Sequence, residues 1–415
     1  MNRIEKLLQT LAPKGMEFKT LGEVFEIKNG YTPSKNNPEF WEKGTIPWFR
    51  MEDIRENGRI LKDSIQHITP KALKNKKLFP KNSIIISTTA TIGEHALLIV
   101  DSLANQQFTF LSKKANCDLA LDMKFFFYQC FLLGEWCKNN TNVSGFASVD
   151  MTAFKKYKFP IPPLEIQQEI VKILDAFTEL NTELNTELKA RKKQYQYYQN
   201  MLLDFNGINS NHKDAKEKLA QKTYPKRLKS LLQILAPKGV EFRKLGEVCD
   251  FQKGKSITKK AVTLGKVPVI SGGRQPAYYH NEANRSGETI AISSSGVYAG
   301  YVSYWDIPVF LADSFSVSPK QKTLMPKYLF HYLTTQQDAI HATKSAGGIP
   351  HVYSKDLQNF LIPIPPLEIQ QEIVKILDQF LALTTDLQTG IPAEIEARKK
   401  QYEYYREKLL TFKPL

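Results

Sequence analysis

Arg274, Gln275, Tyr278, Tyr279, His280 and Asn281 crowd into one short stretch of the chain. Their side chains are of the kind that read base edges: arginine forks onto guanine O6 and N7, and glutamine and asparagine amides match adenine N6 and N7. Ser293, Ser294, Ser295 and Tyr298 form a second cluster, and Lys344, Ser345 and His351 a third around the Gly347-Gly348 turn. Earlier in the chain Tyr31, Lys35, Arg50, Thr88, Thr89, Asn142 and Ser144 have the same character. Any one of them alone also fits an ordinary hydrogen-bonded turn, so the argument for nucleic acid rests on the clustering.

Bond-making chemistry has no such clusters. HExxH, GxSxG and GxGxxG do not occur, and neither Pro-Pro pair belongs to an amino-methyltransferase signature, since Leu164 and Leu367 follow them. Gly254-Lys255-Ser256 imitates the end of a phosphate loop, but Cys249 stands where its first glycine must be. The 7 histidines lack metal-ligand spacing. Cys117, Cys130, Cys137 and Cys249 lack a CxxC pair and read as reduced core thiols of a cytoplasmic protein. No catalytic, cofactor-binding or metal residue is therefore assigned.

The elements that position these loops are written twice. LLQTLAPKGMEFKTLGEV (7–24) returns as LLQILAPKGVEFRKLGEV (231–248) at an offset of 224, and PIPPLEIQQEIVKILD (160–175) returns unchanged at 363–378, at an offset of 203. ARKKQYQYY from Ala190 returns as ARKKQYEYY from Ala397, at an offset of 207. Block order is preserved, so the chain is two copies of one plan. Between the first two blocks almost nothing aligns, and the second copy is 21 residues shorter there, as the two offsets require. Two variable inserts thus hang on a duplicated scaffold.

The scaffold is helical. Ile166, Ile170, Ile173, Phe177, Leu180 and Leu184 follow the 4-3-4-3-4 spacing of a coiled-coil seam, and Ile369, Ile373, Ile376, Phe380, Leu383 and Leu387 repeat it. Pro162-Pro163 and Pro365-Pro366 open each helix. The first copy runs on through the tandem TELN-TELN-TELK (178–189) and predicts one helix from Leu164 to about Asp204, ~60 Å long, comparable to roughly 18 base pairs. In the second copy Gly390 and Pro392 predict a break, the glycine ending one helix and the proline opening the next. Matched helices in one chain favour antiparallel pairing with a pseudo-twofold relation between the halves. Arg191, Lys192, Lys193, Arg398, Lys399 and Lys400 form a solvated flank of that coiled coil, a docking surface for another subunit, or a direct contact to phosphates. The inserts alternate β-formers with turn residues and then turn helical, near 121–140 and 325–339.

Composition supports this division. With 415 residues, 42% of them apolar, the chain is no disordered tail, and its length suggests two or three domains. Its 57 Lys+Arg against 42 Asp+Glu leave +15, which calls for a polyanionic partner. Apolar runs such as Ile84-Ile85-Ile86 are far short of the ~20 residues of a membrane span, and residues 1–10 have no apolar core of a secretory signal.

Two unlike inserts separated by near-identical helical blocks, with IPPLEIQQEIVKILD at each helix start, resemble the specificity subunit of Type I restriction-modification enzymes. The resemblance covers essentially the whole chain, and TELN-TELN-TELK resembles the tetrapeptide repeats some members carry. It implies an α+β protein: two α/β target recognition domains joined by two long helices in an antiparallel coiled coil, as a pseudo-twofold internal repeat. The segments would be 1–18, an N-terminal segment; 19–160 and 233–362, the recognition domains; and 161–232 and 363–415, the conserved helical regions. The implied function is reading an asymmetric bipartite sequence in double-stranded DNA while docking two methyltransferase subunits and, through them, restriction subunits. S-adenosylmethionine, ATP and Mg²⁺ would then reside on those partners. From the residues alone, a coiled-coil scaffold without DNA function and a DNA enzyme with an unrecognised site stay open.

Overall fold

The computed structural model describes residues 2–74, 77–142, 147–208, 214–320, 322–345, 348–385 and 390–412. The chain forms two compact units, Met1–Glu183 with Glu396–Leu415, and Leu184–Ile395. In unit 1 the elements are α1 (Asn2–Leu11), β1 (Glu17–Thr20), β2 (Phe25–Asn29), β3 (Ile46–Phe49), β4 (Ile84–Ser87), β5 (His95–Leu98), β6 (Leu103–Ala104), β7 (Phe108–Lys113), α2 (Met123–Asn139), β8 (Lys158–Ile161) and the first half of α3 (Leu164–Leu203). The second half of α3 opens unit 2, followed by α4 (Lys226–Leu235), β9 (Glu241–Lys244), β10 (Cys249–Lys253), β11 (Leu264–Ile270), β12 (Thr289–Ser293), β13 (Val302–Trp305), β14 (Phe310–Leu311), β15 (Ser314–Pro319), α5 (Pro326–Thr335), β16 (Leu361–Ile364) and α6 (Leu367–Thr385). The last helix, α7 (Ile391–Leu410), ends in unit 1.

The two inserts share one topology although their sequences do not align. The sheet order β2-β7-β4-β5 of unit 1, extended at its edge by Ile60–Leu61, is matched by β10-β15-β12-β13 in unit 2. Beside each lies a small sheet with one parallel pair, β3 with β6 and β11 with β14. The central strands are uninterrupted apolar runs, Ile84-Ile85-Ile86 and Ile290-Ala291-Ile292, because both of their faces are covered. The offset between equivalent residues falls from 221 at Phe49 and Ile270 to 206 at Ile84 and Ile290. Most of the missing 21 residues thus fall between these positions, in the stretch where unit 1 carries the short helix Met51–Asn57 and strand Ile60–Leu61. Pairing of β1 with β8, and of β9 with β16, closes each insert at its root.

The start of each scaffold helix is locked by one glutamine. Gln167, fully buried, accepts from Asp122 N (2.8 Å) and donates to Ala120 O (2.9 Å) and Pro162 O (2.7 Å). Gln370 repeats this with Met325 N (2.9 Å), Thr323 O (2.8 Å) and Pro365 O (2.7 Å). About two turns on, Lys124 and Tyr128 grip Asp175, as Lys327 and His331 grip Asp378. Each helix is thereby fixed to the first turn of α2 or α5, and so to its own sheet.

The scaffold departs from the predicted seam in its first turns. Ile166, Ile170, Val171 and Leu174 are buried in the unit 1 core, whereas Ile173 and Phe177 are only half-buried, because these turns pack against their own insert before the helices meet. Further along, Phe177 of α3 stacks on Tyr405 of α7 (5.5 Å) in unit 1, and Tyr198 of α3 stacks on Phe380 of α6 (5.0 Å) in unit 2. Residue numbers rise along α3 and fall along its partners, the order of an antiparallel pair. Leu409 and Leu410, near the end of the chain, join the unit 1 core, and Gln129 Nε2 donates to Leu410 O at 3.1 Å. Each unit is therefore completed by a helix segment from the other sequence copy. The second copy has separate helices α6 and α7, and the Gly390 carbonyl accepts from Ala393 N and Glu394 N at the start of α7; how α6 ends lies outside the described residues. Leu387 lies outside the described residues.

Candidate nucleic-acid interface

Three loops of unit 2 converge at one end of its sheet. The β12–β13 loop turns at Ser294 to Gly300, the β11 hairpin turns at 271–277, and residues 350–352 run along the β12–β13 loop. Ser295 forms a β-bridge with His351, Val352 N donates to Ser294 O, and Gly296 N donates to Pro350 O. Ser293, buried, donates through Oγ to Ser271 O at 3.0 Å, tying the hairpin in. Exposed Arg274 lies over the rings of Tyr298 (4.9 Å) and Tyr301 (5.6 Å), a cation–π stack that presents a guanidinium outward. Ser345 Oγ accepts from His351 N, and the His351 ring stacks on Tyr353 at 6.0 Å. His341 is held below the ordinary histidine pKa by burial and then by Lys344, with Arg274 adding to the effect despite Asp338.

Unit 1 builds the same rim with different side chains. Gly93 N bonds Ser87 O as Gly300 N bonds Ser293 O; Thr88 N bonds Gln107 O as Ser294 N bonds Asp313 O; Val149 N bonds Thr88 O as Val352 N bonds Ser294 O. Thr89 bridges Ser148, which pairs with Asn142, so the structure brings Thr89 and Asn142 together. Tyr31 is joined through its N–H to Ala104 O, and its carbonyl accepts from Trp48 Nε1, over whose ring Arg50 lies at 5.8 Å. Lys35 is exposed on the loop that follows Tyr31. Ser144 and Gly347 lie outside the described residues.

Three predicted readers are not available to a ligand: Ser293, whose buried Oγ is spent on Ser271 O, His280 and Thr88. The ring of His280 is buried against Phe310, and its Nδ1 lies 3.1 Å from both Thr263 N and Thr263 O, so it braces the hairpin root. Thr88 is buried, with Oγ1 2.9 Å from Thr109 Oγ1, because its carbonyl and N–H are both used to hold the rim together. Gln275, Tyr278, Tyr279 and Asn281 are exposed along the hairpin, while Ser294 is half-buried and Ser345 exposed. Residues that sequence reasoning missed are Gln107 in unit 1 and Asp313 in unit 2, besides Tyr301 under Arg274. For Gln107 and Asp313 the one signal in the sequence was a polar residue directly before FTFLSK and SFSVSP, the strands β7 and β15.

Gly254 has a structural explanation. A Cβ there would sit 2.6 Å from both Ala312 O and Leu311 O, so the glycine permits strand exit and not phosphate binding; Gly30 occupies the equivalent place in unit 1. Burial pushes the Cys137 and Cys249 thiols up to about 12, as expected of unreactive core cysteines. Among the described residues no group of three or more His, Cys, Asp or Glu could hold a metal ion, and no helix is long and apolar enough to cross a membrane.

On the helices, Lys192, Lys193, Lys399 and Lys400 are exposed, whereas Arg191 and Arg398 fold back on Gln194 and Gln401 at 3.1 Å each. Arg191 also pairs with Glu187 at 3.3 Å, and Lys400 with Glu396 at 3.6 Å. Exposed Tyr197 and Tyr404 stand one turn beyond Lys193 and Lys400 at equivalent places in both copies.

Residues 13–194 and 237–397 match the family described as Type I restriction modification DNA specificity domain. The specificity subunit of the Type I restriction enzyme EcoprrI of Escherichia coli is 39% identical over 93% of this chain and 92% of its own. A second E. coli specificity subunit, of EcoR124I/EcoR124II, is 32% identical over 66% and 69%. Among solved structures, the Type I restriction-modification S subunit from M. genitalium superposes with a TM-score of 0.59 at 19% identity, over 96% of this chain and 97% of its own. A chain solved in a study of Type I complex assembly and conformational transition gives 0.55 at 18%, over 96% and 98%.

Proposed function

The chain belongs to the Type I restriction-modification DNA specificity family, and from that premise we propose that its two rims read the two unlike halves of one bipartite DNA sequence. Segments 19–160 and 233–362 are the two target recognition domains in this reading. The observation that carries it is the pair of equivalent loop rims, built on the same hydrogen bonds and furnished with different base-reading side chains. Alike rims would suit a palindrome, and unlike rims suit an asymmetric target.

Each sheet holds its rim rigid, so phosphate contacts from lysines can set register while Arg274, Gln275, Asn142 and their neighbours meet base edges. The chain contributes recognition and assembly and no catalytic step. Two methyltransferase subunits dock on the helical regions, with Lys192, Lys193, Lys399 and Lys400 as the exposed cations on the two equivalent sites; restriction subunits join through them. S-adenosylmethionine, ATP and Mg²⁺ act on those partners.

A co-purification tests this. The full chain, expressed with a Type I methyltransferase subunit from the same host, is expected to retain it and to confer sequence-dependent DNA binding. No retained methyltransferase, together with binding that ignores sequence, would overturn the reading.

A further inference from the structure

One equivalent pair of side chains on the two rims differs in its hydrogen-bonding chemistry: Gln107 in unit 1 and Asp313 in unit 2. Their equivalence is geometric, since each carbonyl accepts from the first residue of the rim loop, Thr88 N at 3.1 Å and Ser294 N at 3.0 Å, and each directly precedes its strand, β7 or β15. Both side chains lean across the same loop. Gln107 Nε2 donates to Thr91 Oγ1 at 2.8 Å and to Thr89 O at 3.4 Å, and Asp313 Oδ2 accepts from Ser295 Oγ. Asp313 is exposed, Gln107 half-buried.

A carboxylate is a poor choice on a surface meant for phosphates. Asp313 stands on the rim that carries Arg274 and Lys344, in a chain of net charge +15, so it opposes the field that draws DNA in. What a carboxylate offers in return is an acceptor without a donor. In the major groove that suits the exocyclic amino group of cytosine and rejects the acceptor edges of guanine and thymine. The amide at the same place carries no charge and, with Nε2 spent on Thr91 Oγ1 and Thr89 O, leaves Oε1 as an uncharged acceptor.

We infer that position 107/313 is a specificity-determining residue of each recognition domain, with Asp313 accepting from a cytosine amino group in one half-site and Gln107 meeting a base edge through Oε1 in the other. This rests on the proposed function, because it requires the rims to face DNA.

The test is the set of adenines methylated in a host carrying the chain and its methyltransferase, read by long-read sequencing. Asp313→Asn is expected to make one base pair of one half-site degenerate or changed, at about 5- to 150-fold loss of discrimination, with the other half-site and the spacer untouched. An unchanged motif overturns the inference, as does weaker methylation spread evenly over all sites, which would make Asp313 a brace for Ser295. Gln107→Asp is the second variant and keeps the test decisive if Asp313→Asn fails to fold. It must alter one base pair of the opposite half-site, and an unaltered, fully methylated motif in it overturns the inference alone. A wild-type chain that directs no bipartite motif would instead remove the functional reading beneath it.

Discussion

Replacing Gln370 with alanine should destabilise unit 2 by about 3–5 kcal/mol. The side chain is fully buried and makes three hydrogen bonds, to Met325 N, Thr323 O and Pro365 O. Alanine strands the buried Pro365 carbonyl, worth about 1–3 kcal/mol, and removes two partly buried bonds worth about 1 kcal/mol each. For a unit the size of Leu184–Ile395, that is a fall in Tm of roughly 6–20 °C. Gln370→Glu sharpens the expectation. Its carboxylate can still accept from Met325 N but faces two carbonyls, so its folded-state pKa lies above the unfolded value of ~4.3. The unfolded state then binds fewer protons than the folded one across that interval, so stability is retained at low pH and lost as pH rises. Differential scanning calorimetry of the full chain between pH 4.5 and 8 measures both effects. A loss below about 1 kcal/mol in Gln370→Ala, or no pH dependence in Gln370→Glu, would refute the claim that this glutamine locks helix to sheet.

Three further expectations follow. Arg274→Ala with Gln275→Ala should relax one half-site only, by ~1–3 kcal/mol per lost bidentate contact, measured by binding of the assembled complex to site variants; equal weakening on every sequence, with a smaller salt slope, would mark them as phosphate contacts. Deleting one TELN unit removes four residues and roughly 6 Å of α3, so the spacer should shorten by one to two base pairs with both half-sites intact; methylation mapping that shows altered half-sites would contradict it. His95 is buried, and burial first, then Arg59, depresses its pKa to about 3. The unfolded state therefore binds the extra proton between about 6.5 and 3, and stability should fall as pH drops through that window. His95→Phe, which keeps the packing on Phe127 and Phe131, should flatten this acid limb in urea titrations.

What the sequence disclosed, it disclosed through local signals. Proline pairs and a sustained seam marked α3 to within a residue at its far end, because helix starts and amphipathic spacing are written in neighbouring residues. The kinship of the inserts was invisible, since a central strand needs only apolar bulk: Ile84-Ile85-Ile86 and Ile290-Ala291-Ile292 do the same work at a shifted offset. Tertiary pairing alone set Gln107 beside Thr91 and Asp313 beside Ser295, far apart in sequence, and turned His280 and Thr88 inward. No local pattern tells that Leu409 and Leu410 complete the unit holding residue 1.

The central claim is that two unlike rims in one chain specify one asymmetric sequence. Its most direct measurement is long-read mapping of methylated adenines in a host that carries this chain with its methyltransferase and lacks other such systems. The account predicts a single motif of two different half-sites separated by an unread spacer, lost when this chain is removed. A palindromic motif, or one that persists without the chain, would contradict it.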